Sequence, residues 1–423
     1  MGQKVVVIGS GAREHALVRA LARGAQRGES REVVAIPGNA GIAREARCVP
    51  AAGTAEALAA AALWEKPDLV VVGPEAPLAE GLADRLTHER IPCFGPTAAA
   101  ARIEASKAFA KEVMTRAGVP TARAAVFDDV RKAKAYATGP CVVKLDGLAA
   151  GKGVIVCDDA DAARRAIDEL WQAAAAGTAP ARLLIEEKLY GPELSVIAVT
   201  DGEKIVPLAP ARDHKRLRDG DRGPNTGGMG AMSPPRDATP ELIDEVVRTI
   251  LQPTVRELAA RETPFRGALY AGLILTERGP RVLEFNCRLG DPEAQAILIR
   301  LRSDPLPLFL SAARGELGRP DVAWDPRPAV AVVIAAAGYP ATPRSGDVIS
   351  GLEQIDQSDD LWVLHAGTKM KEGKLVTAGG RLLTIAASGG DAAQARERAY
   401  DAAARIRIEG AQMRRDIAAR EVR

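Results

Sequence analysis

Two segments of this chain carry residue types suited to phosphate and metal chemistry. The run Arg281-Val282-Leu283-Glu284-Phe285-Asn286-Cys287-Arg288 alternates polar and apolar residues toward its end. In a strand, alternate side chains share a face, so Glu284, Asn286 and Arg288 would project together. A carboxylate and a carboxamide at that spacing offer oxygen ligands to Mg²⁺ or Mn²⁺, and the guanidinium fork of Arg288 matches a phosphoryl or acyl-phosphate group. Far upstream, Lys144-Leu145-Asp146-Gly147-Leu148-Ala149-Ala150-Gly151-Lys152-Gly153 sets closely spaced backbone N–H groups between two lysines, a combination that neutralises phosphate. Either segment alone reads equally well as a mixed-charge strand edge or a surface turn. Together, in this order, they point to ATP use.

The secondary structure carrying these groups is readable from pattern. From residue 1 to about 100, strand, glycine turn and helix recur: residues 5–8 lead into Gly9-Ser10-Gly11, residues 33–36 into Pro37-Gly38-Asn39-Ala40-Gly41, and Leu69–Val72 into Gly73-Pro74-Glu75. Continuous β-branched runs alternating with Ala/Leu-rich helices predict a parallel sheet covered on both faces. Ligands of such sheets sit beyond the C-terminal strand ends, where all three turns fall. A second unit, residues 103–190, opens with a helix carrying Lys107 and closes with the run 182–189. A third, 191–325, holds Gly223-Pro224-Asn225-Thr226-Gly227-Gly228-Met229-Gly230 and the Glu284 strand. The proline-rich Asp325-Pro326-Arg327-Pro328 marks a boundary, beyond which 326–423 shows short strands, glycine turns and an Ala/Arg-rich helix.

Bulk composition narrows the function classes. A chain of 423 residues, 47% hydrophobic and 26% charged, has the length for roughly two to four globular domains. A net charge of +2 with 4% aromatic residues gives neither an electrostatic footprint nor stacking platforms for nucleic acid. Cys48, Cys93, Cys141, Cys157 and Cys287 are scattered without a C-x-x-C pair, as expected of reduced thiols in the cytoplasm. The N-terminus runs straight into a strand without a signal-peptide layout, and no apolar run is long enough to span a bilayer.

Two familiar motifs fail on inspection. Gly9-Ser10-Gly11-Ala12-Arg13-Glu14 begins like a dinucleotide fingerprint, but Glu14 occupies the third glycine position and no acidic residue ends the second strand. That argues against NAD and leaves a tight turn presenting N–H groups to a phosphate, with Arg13 and His15 nearby. The loop around Lys152 lacks the leading glycine and the following hydroxyl of a P-loop, having Asp146 and Gly153 instead.

With Ser106-Lys107, Asp213-His214-Lys215-Arg216, Gly290-Asp291-Pro292-Glu293 and His365-Ala366-Gly367-Thr368 added in register, the chain resembles over essentially its whole length the ATP-grasp ligases, and among them the phosphoribosylamine–glycine ligase (glycinamide ribonucleotide synthetase) family. It departs from that pattern at Ala12, Leu145, Arg212 and Met232, where the family usually has Gly, Ala, Gln and an aromatic. The resemblance implies an α/β and α+β multidomain fold: a Rossmann-like N-terminal domain (1–102), an ATP-grasp pair with the nucleotide lid in 103–190 and the metal site in 191–325, and a small β-rich C-terminal domain (326–423). The implied reaction takes ATP, glycine and 5-phosphoribosylamine to glycinamide ribonucleotide, ADP and phosphate in purine biosynthesis, through glycyl phosphate. In that reading Glu284 and Asn286 hold Mg²⁺ or Mn²⁺, while Lys107, Lys144, Gly151, Lys152 and Gly153 meet the triphosphate. The main chain of Glu186 and Leu189 pairs with adenine, and Glu193, or the adjacent Glu187, accepts from the ribose. Arg288 holds the acyl phosphate; Asp213, Lys215, Asn225, Thr226 and Gly227 lie near glycine and the reacting amine; Gly11, Arg13, Glu14 and Asn39 take phosphoribosylamine. An amine attacks in its neutral form and can lose its proton late, so neither His15 nor His214 is assigned as a base. Monomer and weak homodimer both stay open. Two other readings compete: a related ATP-grasp carboxylase, which bicarbonate-dependent turnover would reveal, and a nucleotide-binding protein without catalysis, which would not need the full set of Glu284, Asn286, Arg288 and the loop lysines.

Overall fold

In the computed structural model, which describes residues 2–25, 30–148, 153–175 and 182–422, the β-branched strand Gln3–Gly9 is the centre of a five-stranded sheet. The spatial order is Arg47–Cys48, Arg31–Pro37, Gln3–Gly9, Leu69–Val72 and Cys93–Phe94, with every pairing parallel. Val5 and Val7 enter one core while Val6 and Ile8 enter another, so the strand shows no polar face in its sequence. Each such fully buried side chain contributes about 1.5–3 kcal/mol relative to exposure. The order reverses between Gln3–Gly9 and Leu69–Val72, so the Gly9 and Gly73 turns open on one crevice, the usual ligand position in this architecture. This is the expected Rossmann-like unit.

Two four-stranded antiparallel sheets supply the ATP-grasp pair. The lid sheet runs Ala124–Phe127, Leu183–Glu187, Cys141–Leu145, Val154–Cys157. On one face Val143, Ile185 and Cys157 pack beneath the helices Val130–Tyr136 and Ala160–Ala175; on the other, Val142, Lys144 and Glu186 line a cavity. The second sheet runs Ile205–Pro207, Glu193–Asp201, Arg266–Thr276, Gly279–Asn286. Its last pairing slips between Gly272 and Leu273, leaving Leu283 as an extra residue. Such a bulge bends the strand and re-aims the side chains beyond it.

The C-terminal sheet has the order Arg212–Asp213, Gly230–Ser233, Ala329–Ala335, Arg381–Ser388, Leu361–His365 and is covered by the helix Ala392–Arg405. Its first two strands come from the middle of the chain, so the stretch 191–325 is shared between two sheets. Residues 216–225 form a hairpin of Arg216–Arg218 with Arg222–Asn225. Leu217 is buried and Asp221 accepts from Arg414 at 2.8 Å. Among the described residues no helix is long and apolar enough to cross a membrane.

Candidate active site

A cavity of about 1260 Å³ is lined by both antiparallel sheets, the Gly73 turn and the C-terminal unit. On the strand Gly279–Asn286, Val282 and Phe285 are buried, and Glu284 and Asn286 turn to the cavity. Cys287 is buried in its turn, so Arg288 continues the cavity face past the strand end. Among the described residues neither Glu284 nor Asn286 makes a side-chain hydrogen bond or ion pair. Nor does any group of three or more His, Cys, Asp and Glu form a metal site there. Two uncommitted oxygen donors suit Mg²⁺, which takes few protein ligands and completes its octahedron with phosphate oxygens and water.

The cations opposite are held by local structure. Ser106 caps the helix Lys107–Arg116, accepting from Phe109 N at 3.2 Å, and Asp146 accepts from Ala108 N at 3.2 Å. Lys107 is thereby fixed in the first helical turn, and its Nζ donates to Gly147 O at 2.8 Å. Burial holds the Lys107 ammonium below its usual range, with Glu284 opposing. Lys144 donates to the bulged Leu283 O at 2.8 Å and pairs with Glu186 Oε2 at 3.0 Å. Gly153 lines the cavity, whereas Gly151 and Lys152 lie outside the described residues.

At the end of the strand Leu183–Glu187, Glu186 turns its side chain inward and Leu189 lines the cavity. Glu187 pairs outward with Arg123 Nε at 2.8 Å. Glu193 accepts from Lys215 Nζ at 2.7 Å, and the same ammonium reaches Asp213 Oδ1 at 3.1 Å. One ammonium thus serves two carboxylates, Glu193 being the nearer. Lys215 holds Glu193 below the usual range, while burial pushes Asp213 up to about 7 against the pull of Lys215. Asn225, Thr226 and Gly227 line the same region, with Thr226 N and Oγ1 both donating to Lys215 O at 2.8 Å.

Arg288 is clamped by Glu104 Oε1 at 2.8 Å and Glu75 Oε2 at 3.2 Å, both from the N-terminal unit. Burial raises Glu104, whose Oε2 also accepts from Cys287 N at 2.7 Å. Of the residues read as phosphoribosylamine ligands, only Arg13 lines the cavity; Gly11, Glu14 and Asn39 do not. Glu14 is buried, accepts from Gly11 N at 2.5 Å and from Arg13 Nε at 2.6 Å. A Cβ on Gly73 would stand 2.0 Å from its carboxylate and one on Gly9 2.5 Å from its Cγ, so these glycines make room for a glutamate. Asn39 donates to Ser10 O and His365 O and accepts from Gly41 N and Ile42 N, at 2.7–2.9 Å.

Models of the phosphoribosylglycinamide synthetase N domain, ATP-grasp (A) domain and C domain match residues 3–104, 105–294 and 329–420 in turn. The chain belongs to the phosphoribosylglycinamide synthetase family. It is 51% identical to a phosphoribosylamine–glycine ligase of Streptomyces coelicolor and 47% identical to one of Allochromatium vinosum, each comparison covering 99% of both chains. The crystal structure of phosphoribosylamine–glycine ligase from Thermotoga maritima superposes with a TM-score of 0.83 at 35% identity, covering 98% of this chain and 100% of that one. The biotin carboxylase domain of Hydrogenobacter thermophilus 2-oxoglutarate carboxylase shares the fold, with a TM-score of 0.71 at 20% identity over 98% of this chain and 92% of that one. As a synthetase of this family the protein is an ATP-dependent ligase of purine biosynthesis with the ATP-grasp fold.

Several residues of the synthetase cavity escaped the sequence reading. Glu75 and Glu104 meet Arg288 only through the fold. Arg381 arrives from the C-terminal sheet, pairs with Asp291 Oδ2 at 3.1 Å, and donates to the carbonyls of Gly227 and Asp291. Tyr339 OH accepts from Gly227 N at 2.9 Å. Arg212 ties Glu193 O at 2.7 Å to Glu421 at 2.8 Å and Asp237 at 2.6 Å, so it fastens the C-terminal end to the start of the strand Glu193–Asp201. The segments Gly73-Pro74-Glu75, Gly223 to Gly230 and Gly290-Asp291-Pro292-Glu293 were the available signals for this neighbourhood.

Proposed function

We propose that this chain uses ATP to join glycine to 5-phosphoribosylamine, giving glycinamide ribonucleotide, ADP and phosphate. The observation that carries the reading is the uncommitted pair Glu284 and Asn286, which lines one cavity with Lys107 and Lys144, in a chain similar end to end to ligases of that name. A carboxylate is a poor acyl donor because oxide is an impossible leaving group. The glycine carboxylate oxygen therefore attacks the γ-phosphorus of ATP, ADP departs, and glycyl phosphate forms. The amine nitrogen of phosphoribosylamine then attacks the carbonyl carbon, phosphate leaves, and the nitrogen gives up a proton.

Transfer between anions rests on positioning and charge neutralisation. Lys107 and Lys144 neutralise phosphate oxygens, with Gly151, Lys152 and Gly153 assigned to the same task by family resemblance. Bound at Glu284 and Asn286, Mg²⁺ or Mn²⁺ would supply further charge to the β- and γ-phosphates. The Glu186–Leu189 main chain faces adenine, and Glu193 takes the ribose. Arg288, already oriented by Glu75 and Glu104, holds the acyl phosphate. Asp213 and Lys215, with the loop Asn225, Thr226 and Gly227, hold glycine, and the Asp213 carboxylate accepts from its ammonium. Arg13 faces the phosphoribosylamine. We assign Gly11, Glu14 and Asn39 to shaping that end of the cavity rather than to contact.

The test is ADP release with Mg-ATP, glycine and freshly generated 5-phosphoribosylamine, against omission of each substrate and addition of bicarbonate. ADP formation that needs both glycine and phosphoribosylamine supports the ligase. ADP formed with bicarbonate and without glycine would move the chain to the carboxylases, whose fold it shares.

A further inference from the structure

Lys111 lies one turn beyond Lys107 on the helix Lys107–Arg116, a spacing that puts both on one face. It is buried in the wall of the cavity. Its Nζ meets Thr121 Oγ1 at 2.6 Å, Ala122 O at 3.0 Å and Glu186 Oε1 at 3.3 Å. An ammonium has three N–H donors, so Lys111 is saturated and has none left for a ligand. Lys144 is different: it uses one donor on Glu186 Oε2 and one on Leu283 O, and keeps its third. The single Glu186 carboxylate is thus shared by two ammonium groups, and one positive charge is left over beside the cavity.

We propose that Lys111 is a positioning residue for the nucleotide: by taking half of the Glu186 carboxylate, it leaves the Lys144 charge and third N–H for the phosphates. Without Lys111, Glu186 would cancel Lys144 and draw it back toward the sheet. Burial, opposed by Glu186 and reinforced by Lys144, lowers Lys111 to about 8, so the charge is present at neutral pH. The inference rests on the nucleotide reading of the cavity. Titration of the wild-type protein with ATP tests that reading, and variants compared with wild type test Lys111.

The experiment is calorimetric titration of the full chain with ATP, ADP and adenosine. Lys111→Gln keeps a donor for Thr121 and removes the charge; it should weaken ATP and ADP about tenfold or more while adenosine stays within about twofold. Lys111→Gln combined with Glu186→Gln restores the surplus charge and should recover ATP affinity to within about threefold of wild type. Equal losses for adenosine and ATP, unchanged ATP affinity, or no recovery in the double variant would overturn the proposal. Should Lys111→Gln not fold, the wild-type protein carries the test. Between pH 7 and 9 the ATP-to-adenosine affinity ratio should fall several-fold as Lys111, faced by Glu186, Lys144 and Glu187, loses its proton; a flat ratio would overturn it.

Discussion

The end of the strand Gln3–Gly9 and the end of the strand Gly279–Asn286 are finished in opposite ways. At the first, the chain plugs its own glycine turn with Glu14, and every side-chain polar atom of Glu14 and Asn39 is used internally. At the second, Glu284 and Asn286 face the cavity with no partner among the described residues. The difference separates two jobs. Groups that fix geometry are saturated by their own neighbours, because an unsatisfied buried polar atom costs about 1–3 kcal/mol. Glu284 and Asn286, which we propose take up and release a ligand each turnover, are left bare, where water can reach them.

The sharpest way to break this contrast is Glu284→Ala, which should lower turnover at least about 10³-fold while the melting temperature stays put, since no internal bond is lost. A large drop in melting temperature would place Glu284 with the saturated groups. On the other side, Glu14→Ala strands Arg13 Nε and Gly11 N in the interior and should cost about 3–5 kcal/mol of stability in urea unfolding; an effect confined to turnover would put Glu14 in the cavity chemistry instead. Asp213 sits between the two classes. With its carboxyl at about 7, kcat/KM for glycine should rise about tenfold from pH 6 to 8 as the carboxylate forms, and Asp213→Asn should flatten that profile.

Three histidines, His15 and His365 buried beside the first strand end and His214 beside the cavity, should also make the fold acid-sensitive. Burial lowers His365 to about 3 and His214 to about 4 and depresses His15. Unfolded histidines bind protons from about pH 6.5, so between there and the depressed values the unfolded chain holds more protons. Stability therefore falls with falling pH, by up to about 1.4 kcal/mol per pH unit for each histidine, and melting curves from pH 7.5 to 5 would show it; a flat trend contradicts neutral burial. The smallest effect belongs to Arg212→Gln. It loses a pair to the half-exposed Asp237 and one to the buried Glu421, about 1 kcal/mol together.

Sequence legibility followed the periodicity. The strand around Val5–Val7 was readable because burial on both faces leaves a continuous β-branched run, the one leading to Arg288 because one-sided burial leaves alternate polar residues at Glu284 and Asn286, and Lys107 through the family resemblance. The ring of Glu75 and Glu104 around Arg288 left no trace, since its members lie far apart in sequence. Arg212–Asp213 is a two-residue strand, too short for any pattern to betray that it joins the C-terminal sheet. At Gly11, Glu14 and Asn39 the residue types of a phosphate turn were present, yet the Gly11 N–H and the Glu14 and Asn39 side chains are taken up by internal hydrogen bonds that no sequence pattern announces.

The placement of Gly230–Ser233 has a consequence in time as well as space. That strand pairs with Ala329–Ala335, which pairs with Arg381–Ser388, and the loop bearing Lys215 and Asn225 hangs from its start. Sheet hydrogen bonds cannot form to strands not yet synthesised. On the ribosome, every strand of the two ATP-grasp sheets is present once Asn286 has emerged, whereas the loop that we propose for glycine must wait for nearly the whole chain. The order of synthesis therefore completes the two ATP-grasp sheets well before the sheet from which that loop hangs.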